Sequence, residues 1–541
     1  MNVDAVGTST QGRRDKFERL TRTKFDLLVL GGGITGAGIA LEASSRGLSV
    51  ALLDSNDFAS GTSSRSTKML HGGLRYLERG EVALVKKAAA ERKQIHQLAP
   101  HLSEPRWMVL PISNRAKLLG LQVAVTTYDR LGGVEKDERN RTWKGEELAE
   151  HEPTLKQKDY PYGLAYREYL TDDARLVLAN LRAAEKHGTC ALNHTEVGAF
   201  TQQNGRANGA QVRCRLSGRE GAVQAQTIVN ATGPWVEEVQ KLEDANAKPL
   251  LHLSKGIHIT LPASKLPVQN LLALPTDDGR RIFVMRRENV VYVGTTDTTY
   301  EPGAEVWPSI TADDVDYLLA VLPKYLDTAP LTRTDVIGAW AGLRPLIADP
   351  KTSNPAELSR KDEVLEGKLG IISIAGGKLT GYRGMAKRVM QYVDKRPSTP
   401  SPSFTEQEKL PGGHIKDPLP IYSKQLAHST GLAENTCARL ARHYGSEAID
   451  VLELGAAPLA DDIPVVHGEV HWAIQQEHAA TLEDMIYRRL RLPALALNPA
   501  AAVEPAADIM AAVLGWSAQE RTEQLEIVRG LLAQDLAFQA L

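Results

Sequence analysis

The hydrophobic pattern changes character several times along the chain, and each change marks out a part. Phe25 to Leu30 (FDLLVL) is a short apolar run that ends at glycine, the pattern of a strand buried on both faces. Ile34 to Arg46 follows with helical spacing and small residues, and Leu48 to Asp54 (LSVALLD) is a second apolar run, ending in an acid. This order predicts a βαβ unit at the start of an α/β fold. Thr227 to Ala231 (TIVNA) and Gly370 to Ala375 (GIISIA) are two more buried-strand patterns, far down the chain. Alternating runs such as Ile257–Leu261 and Val290–Gly294 predict antiparallel sheet. After the linker-like Arg396 to Pro402 (RPSTPSP), the remainder is rich in Ala, Leu and Glu and reads as helical.

A chain of 541 residues is too long for one core. The predicted division is a disordered lead-in over 1–24, two interleaved domains over 25–395, and a helical domain over 396–541. The second interleaved domain takes segments at about 107–220 and 249–340. The lead-in expectation rests on polar, mixed-charge residues with no apolar run, which also excludes a secretory signal there. A net charge of -2 gives no global attraction to nucleic acid or to an anionic membrane, so any basic surface is local. Cys190, Cys214 and Cys437 are widely spaced, with no pattern of metal ligation, so no metal is expected and a reduced, cytoplasmic setting fits. No stretch reaches the ~20 apolar residues of a membrane span; Leu492 to Trp516 is broken by prolines and acids.

The strongest local signal lies between the first strand and helix, where Gly31-Gly32-Gly33-Ile34-Thr35-Gly36 contains G-x-G-x-x-G. Gly31 permits a tight turn, Gly33 lets the backbone approach a pyrophosphate, and Gly36 allows close helix–strand packing. The helix start at Ile34 and Thr35 offers free N–H groups to the phosphates. Asp54, 21 residues after Gly33, is placed to accept ribose hydroxyls. Two later strand-to-turn sequences, NATGPW with Gly233 and AGGKLT with Gly377, Leu379 and Thr380, favour FAD over NAD. A chain that returns twice to one ligand suits a long dinucleotide, and a helix starting near Leu379 would stabilise negative charge on a reduced flavin.

Ser63-Ser64-Arg65-Ser66-Thr67-Lys68-Met69-Leu70-His71-Gly72-Gly73-Leu74-Arg75-Tyr76-Leu77 closely resembles the serine-rich segment and HGGLRYL motif of the FAD-dependent (aerobic, respiratory) glycerol-3-phosphate dehydrogenases. The resemblance continues through Asp172 to Leu176, NATGPW from Asn230, Lys255 to His258, Val293 to Asp297, Gly342 to Leu346, Ser359-Arg360 and Gly376 to Thr380. It spans residues 25 to about 395. It implies the D-amino-acid-oxidase-like plan: a Rossmann-like FAD domain, an antiparallel-sheet substrate domain and a C-terminal helical domain. It also implies oxidation of sn-glycerol 3-phosphate to dihydroxyacetone phosphate, with hydride transfer from C2 to flavin N5 and electrons leaving to quinone. By the same resemblance, Ser63, Ser64, Lys68, His71 and Gly72 belong to the cofactor site.

Such a substrate needs its phosphate neutralised, its C2–H directed at the flavin and its hydroxyl proton removed. Arg344 and Arg360 occupy the matching positions for a phosphate clamp, chemistry that suits the guanidinium fork. Arg75 and Tyr76, by resemblance, line the substrate pocket. Lys378 is placed to stabilise the alcohol oxygen as it becomes a carbonyl. His258 is the first candidate for general base and His71 the second, with a structural histidine the alternative for either.

Delivery to quinone requires approach to a bilayer. Arg106 to Arg130 reads equally as an amphipathic surface segment for an anionic membrane or as a core helix. The Tyr487-Arg488-Arg489-Leu490-Arg491 run reads as a solvated basic face. Peripheral attachment to the cytoplasmic membrane is the resulting expectation, and a homodimer is admitted. The rivals are a glycerol-3-phosphate oxidase using oxygen, an amine or amino-acid oxidase of the wider group, an NAD-dependent dehydrogenase, and a non-catalytic FAD-binding protein. The pocket cations argue against the last.

Overall fold

The computed structural model describes residues 10–73, 82–349, 352, 358, 361–394, 402–461 and 463–540. Arg75, Tyr76, Arg360 and most of the linker-like segment lie outside them.

The first sheet has eight strands. Its centre is parallel: β1 (Lys24–Leu30) lies between β2 (Val50–Leu53) and the strand Glu220–Asn230, which in turn pairs with Ile372–Gly376. Cys190–Leu192 continues beyond β2, also parallel. All four residues of β2 are buried, as are Leu27 to Leu30 of β1, so these strands read as unbroken apolar runs. Helix α2 (Ile34–Ser45) covers one face, together with the helices Asp173–Lys186 and Tyr382–Val393. The second sheet has ten strands, largely antiparallel. In it Leu251–Pro262 pairs with Val290–Gly294 on one side and Gly338–Ile347 on the other. The buried strands and the antiparallel pair expected from the pattern are all present.

Three boundaries differ from expectation. Residues Thr10–Arg22 form a helix, α1, rather than a disordered lead-in. Phe17 and Leu20 are one turn apart and buried against the first sheet, while Arg13 and Lys16 reach Asn193 and Glu185. Two apolar residues among eleven others carried too little signal to register as a stripe. The substrate-domain segment also ends earlier than 220. Its strands Ser103–Ile112 and Tyr162–Thr171 belong to the second sheet, but the helix Asp173–Lys186 packs on α2 and everything from Cys190 to Asn230 joins the first. Finally, Arg106 to Arg130 is neither one helix nor one surface: Trp107 lies on a strand, and the helix is Arg115–Leu131. The C-terminal region is helical, with Leu419–Thr430, Glu434–Tyr444, His467–Gln476, Val503–Leu514 and Ala518–Asp535 its longer members.

The tight seam between α2 and β1 depends on Gly36, where an added Cβ would overlap the Gly31 carbonyl. Gly120, on the exposed face of Arg115–Leu131, has nothing within 4 Å. Gly36→Ala is expected to destabilise the protein by about 1–3 kcal/mol through overpacking, whereas Gly120→Ala stabilises it by up to about 1 kcal/mol through helix propensity. Thermal denaturation of the two variants, each against the parent, measures both.

Candidate active site

A cleft of about 620 Å³ opens at the carboxyl ends of β1, β2, Glu220–Asn230 and Ile372–Gly376, where open α/β sheets bind their ligands. Gly31, Gly33, Ile34 and Thr35 form its floor. Gly31 has φ +98°, and its N–H donates to the Leu53 carbonyl at 2.8 Å, which ties the turn to β2. Only glycine fits there, because a Cβ would strike the Ala231 backbone. Gly36 does not line the cleft and acts from behind, by bringing α2 close. The helix begins at Ile34 with no side-chain cap, so its first turn presents positive partial charge to the cleft.

Asp54 is the next wall. Its carboxylate accepts from the N–H groups of Gly32 (2.7 Å) and Asn56 (2.9 Å). Burial nevertheless pushes its pKa up to about 6, with Asp57 adding to the rise. A carboxyl at the cleft wall with lone pairs beyond those two bonds fits a ligand bringing hydroxyls, as a ribose does. The far wall comes from Gly233 and Trp235 on one side and from Gly376, Gly377, Lys378 and Leu379 on the other. Gly376 and Gly377 are both left-handed (φ +75° and +88°), and a Cβ on either would meet the Lys361 carbonyl or the Met385 sulfur. That turn aims the short Leu379–Gly381 helical turn, and behind it Tyr382–Val393, at the cleft. An anion cradle at one end, a diol acceptor beside it and a second helix start at the other end together fit FAD.

The remaining expected cofactor residues divide. Ser63 lines the cleft, and its hydroxyl accepts from the Ile34 N–H at 2.9 Å. Ser64, Lys68, His71, Gly72 and Thr380 are not part of the lining. The Ser64 carbonyl accepts from Lys68 Nζ (2.8 Å), and that ammonium is fully buried against Asp173 (3.0 Å) and over the Trp340 ring. Lys68 therefore braces the serine-rich segment and does not face the cofactor cleft. Gly72 packs against the Tyr128 ring and donates to Glu168, and Thr380 reaches the His71 carbonyl. A motif match gives the residues near a ligand, and adjacent positions along an extended chain point to opposite sides.

On the second sheet, Arg344 donates to Thr295 Oγ1 (2.9 Å) and pairs with Asp297 (3.3 Å). Gly256, on the adjacent strand, makes room for the guanidinium. The next residue, Pro345, lines the cleft, as does Lys378, whereas the Arg344 side chain is not part of that lining. His258 stacks on Trp340 with ring centroids 4.8 Å apart, and its Nε2 meets Thr67 Oγ1 at 3.1 Å. Its Nδ1 is buried without a partner. Burial, and then the charges of Arg344 and Lys68, hold its pKa well below the ordinary value of 6.5, so the ring is neutral. Lys255, in the same motif, is anchored to Asp314 (2.6 Å).

Sequence reasoning missed two groups of residues. Thr195 to Val197 and Arg215, from the antiparallel hairpin on the first sheet, complete one wall of the cleft. Nothing short of the fold announces them. Arg488, Arg489 and Arg491 are buried, not a solvated face. Their partners Asp57, Asp172 and Asp173 lie more than 300 positions away, a pairing that local charge pattern does not reveal.

Residues 26–383 match the family model described as FAD dependent oxidoreductase, and residues 403–521 match the C-terminal domain of alpha-glycerophosphate oxidase. An aerobic glycerol-3-phosphate dehydrogenase of Staphylococcus epidermidis is 37% identical over 542 residues, covering 95% of this chain and 96% of that protein. The structure of the glycerol-3-phosphate dehydrogenase from Bacillus halodurans complexed with FAD superposes with a TM-score of 0.80 at 31% identity, covering 98% of both chains. An L-alpha-glycerophosphate oxidase from Mycoplasma pneumoniae, at 18% identity and a TM-score of 0.55 over 72% of this chain and 99% of that one, shares the fold. With cleft, cofactor and both domains accounted for, the chain belongs to the FAD-dependent oxidoreductases and, among them, to the aerobic glycerol-3-phosphate dehydrogenases.

Proposed function

We propose that the protein oxidises sn-glycerol 3-phosphate to dihydroxyacetone phosphate and passes the electrons to a quinone at the surface of the cytoplasmic membrane. The observation that carries the substrate is Lys378 in the lining of the cleft, with Arg344 on the strand whose Pro345 also lines it. A phosphate dianion suits the Arg344 fork, which Thr295 and Asp297 hold in place. Lys378 stabilises the carbinol oxygen as its proton leaves. Neutral His258, with a buried and unpaired Nδ1, accepts that proton. Bound FAD supplies the two-electron acceptor for the hydride from C2. Arg75, Tyr76 and Arg360 complete the pocket in this reading.

The membrane arm rests on the helix Arg115–Leu131. Leu119 and Val123 are one turn apart, 58% and 70% exposed, with Arg115 and Lys117 in the preceding turn. Two exposed aliphatic side chains beside basic ones suit the boundary of an anionic bilayer. No helix among the described residues is long and apolar enough to cross a membrane.

Anaerobic mixing with sn-glycerol 3-phosphate is expected to bleach the flavin, while plain glycerol leaves it oxidised; bleaching by both would remove the phosphate clamp from the argument. Peroxide release in stoichiometric amount during aerobic turnover would assign oxygen as the acceptor in place of quinone. His258→Ala is expected to lower turnover by about 10²–10⁴-fold with little change in the binding of a phosphate analogue, and unchanged turnover would take His258 out of the mechanism. Because its pKa is depressed, the ring gains a proton only below its ordinary value of 6.5. The rate profile is therefore expected to show no acid limb from His258 between pH 6.5 and 8. Replacing Leu119 and Val123 together by Glu is expected to weaken sedimentation with anionic vesicles at low salt by about tenfold or more, since each buried aliphatic side chain contributes about 1.5–3 kcal/mol. Turnover with a soluble dye acceptor should persist.

A further inference from the structure

Among the described residues, the C-terminal helical domain contributes none to the lining of the cofactor cleft, yet it sends three arginines to the segment that carries that lining. They come from the π-helical turn Asp484–Arg489 and the residue two beyond it, Arg491, which is itself left-handed at φ +61°. Arg489 grips Asp57 with a two-pronged fork, Nη1 to Oδ2 at 2.6 Å and Nη2 to Oδ1 at 2.8 Å. Arg488 Nε also donates to Asp57, and Asn193 supplies a further donor at 2.7 Å. Arg491 donates to Asp173 (2.9 Å), to the Ser64 carbonyl (3.4 Å) and pairs with Asp172 (3.2 Å). Asp173 in turn holds Ser66 through its N–H (3.0 Å) and hydroxyl (2.7 Å). All of these charged side chains are at most 4% exposed.

What they hold is the wall of the cleft. Asp57 lies in the segment that carries Asp54 and Asn56 on one side and Ala59 and Ser60 on the other, all four of them lining residues. Ser64 follows Ser63, whose hydroxyl meets the first turn of α2. Burial works against ionisation of Asp57, and Arg489 and Arg488 override it, so the carboxyl stays below its ordinary value. The ligand atoms of Asp57, His194 and Asp484 lie within 4.8 Å of one another, and Arg488 and Arg489 supply the positive charge in that cluster.

We infer that Arg488, Arg489 and Arg491 are positioning residues for FAD: the C-terminal domain clamps the 54–64 segment from behind, and this clamp sets how tightly the cofactor is held. The inference needs FAD in the cleft and is independent of the substrate and of the acceptor. Arg182 provides the control. It also joins the two domains, through a fork to Glu447 at 2.7 and 2.9 Å, but neither residue lines the cleft.

The test is FAD release from the full-length holoenzyme, followed by flavin fluorescence, together with the dissociation constant for FAD added back to the stripped protein. Arg489→Gln and Asp57→Asn are each expected to raise that constant at least tenfold. The double variant should be worse than either single by less than the product of the two effects, because both changes break the same fork. Arg489→Lys, which keeps the charge and loses the fork, should fall between. Arg182→Gln should stay within twofold of the parent. FAD binding within twofold in both Arg489→Gln and Asp57→Asn would overturn the inference. So would equal weakening by Arg182→Gln, which would show a general loss of domain docking. Should the Asp57 and Arg489 variants fail to fold, hydrogen exchange on the unmodified chain decides. Amides of 484–491 are expected to gain protection when FAD is added to the stripped protein, and no gain would reject the clamp.

Discussion

A helix start can serve as an anion site only if the backbone ahead of it can be approached, and in this chain everything is arranged around that requirement. Gly31 turns left-handed against Ala231, Gly36 lets α2 settle on the Gly31 carbonyl, and the N–H of Gly31 is tied to the end of β2. The result is a floor made largely of peptide groups, bordered by the Ser63 hydroxyl on the Ile34 N–H. Asp54, the NATGPW turn and the Gly376-Gly377 turn are then placed at the rim by the parallel register of four strands drawn from three distant parts of the chain. The register converts distance in sequence into adjacency at one edge.

That division explains what could be read beforehand. The nucleotide-binding half was legible because its signals are local: an apolar run, a glycine spacing and an acid fix the strand, the turn and the ribose acceptor without reference to anything else. Gly31, Gly33, Ile34, Thr35, Asp54, Ser63, Gly233, Gly377 and Leu379 all reach the cleft. Lys68, by contrast, lies within a motif that points to the cofactor, but its side chain turns inward to Asp173. Which way a side chain turns is decided by a partner a hundred residues on. The same reasoning covers α1, whose stability comes from the sheet it covers and not from its own sequence. It covers the arginine run at 488–491 as well, where a local excess of charge looked like a surface and is matched by distant aspartates.

The second sheet contributes chemistry of a different kind. Its motif residues are held by side-chain pairing: Arg344 by Asp297 and Thr295, Lys255 by Asp314, His258 by Trp340 and Thr67. Charges fixed in this way lose little freedom when a substrate arrives, and groups that are already desolvated act more strongly on charge that develops beside them. Trp340 serves two groups at once: its ring stacks on the His258 imidazole and lies 4.9 Å from the Lys68 ammonium.

The parallel register also bears on how the chain is made. β1 finds one neighbour in the strand Glu220–Asn230, and that strand finds its own only in Ile372–Gly376. During synthesis the first sheet therefore lacks its strand Ile372–Gly376 until more than two thirds of the polypeptide has left the ribosome. Pairings of such long range close slowly and leave unsatisfied edges exposed to other nascent chains. Maturation of this enzyme is thus tied to the rate of translation and to whatever shields those edges in the interval.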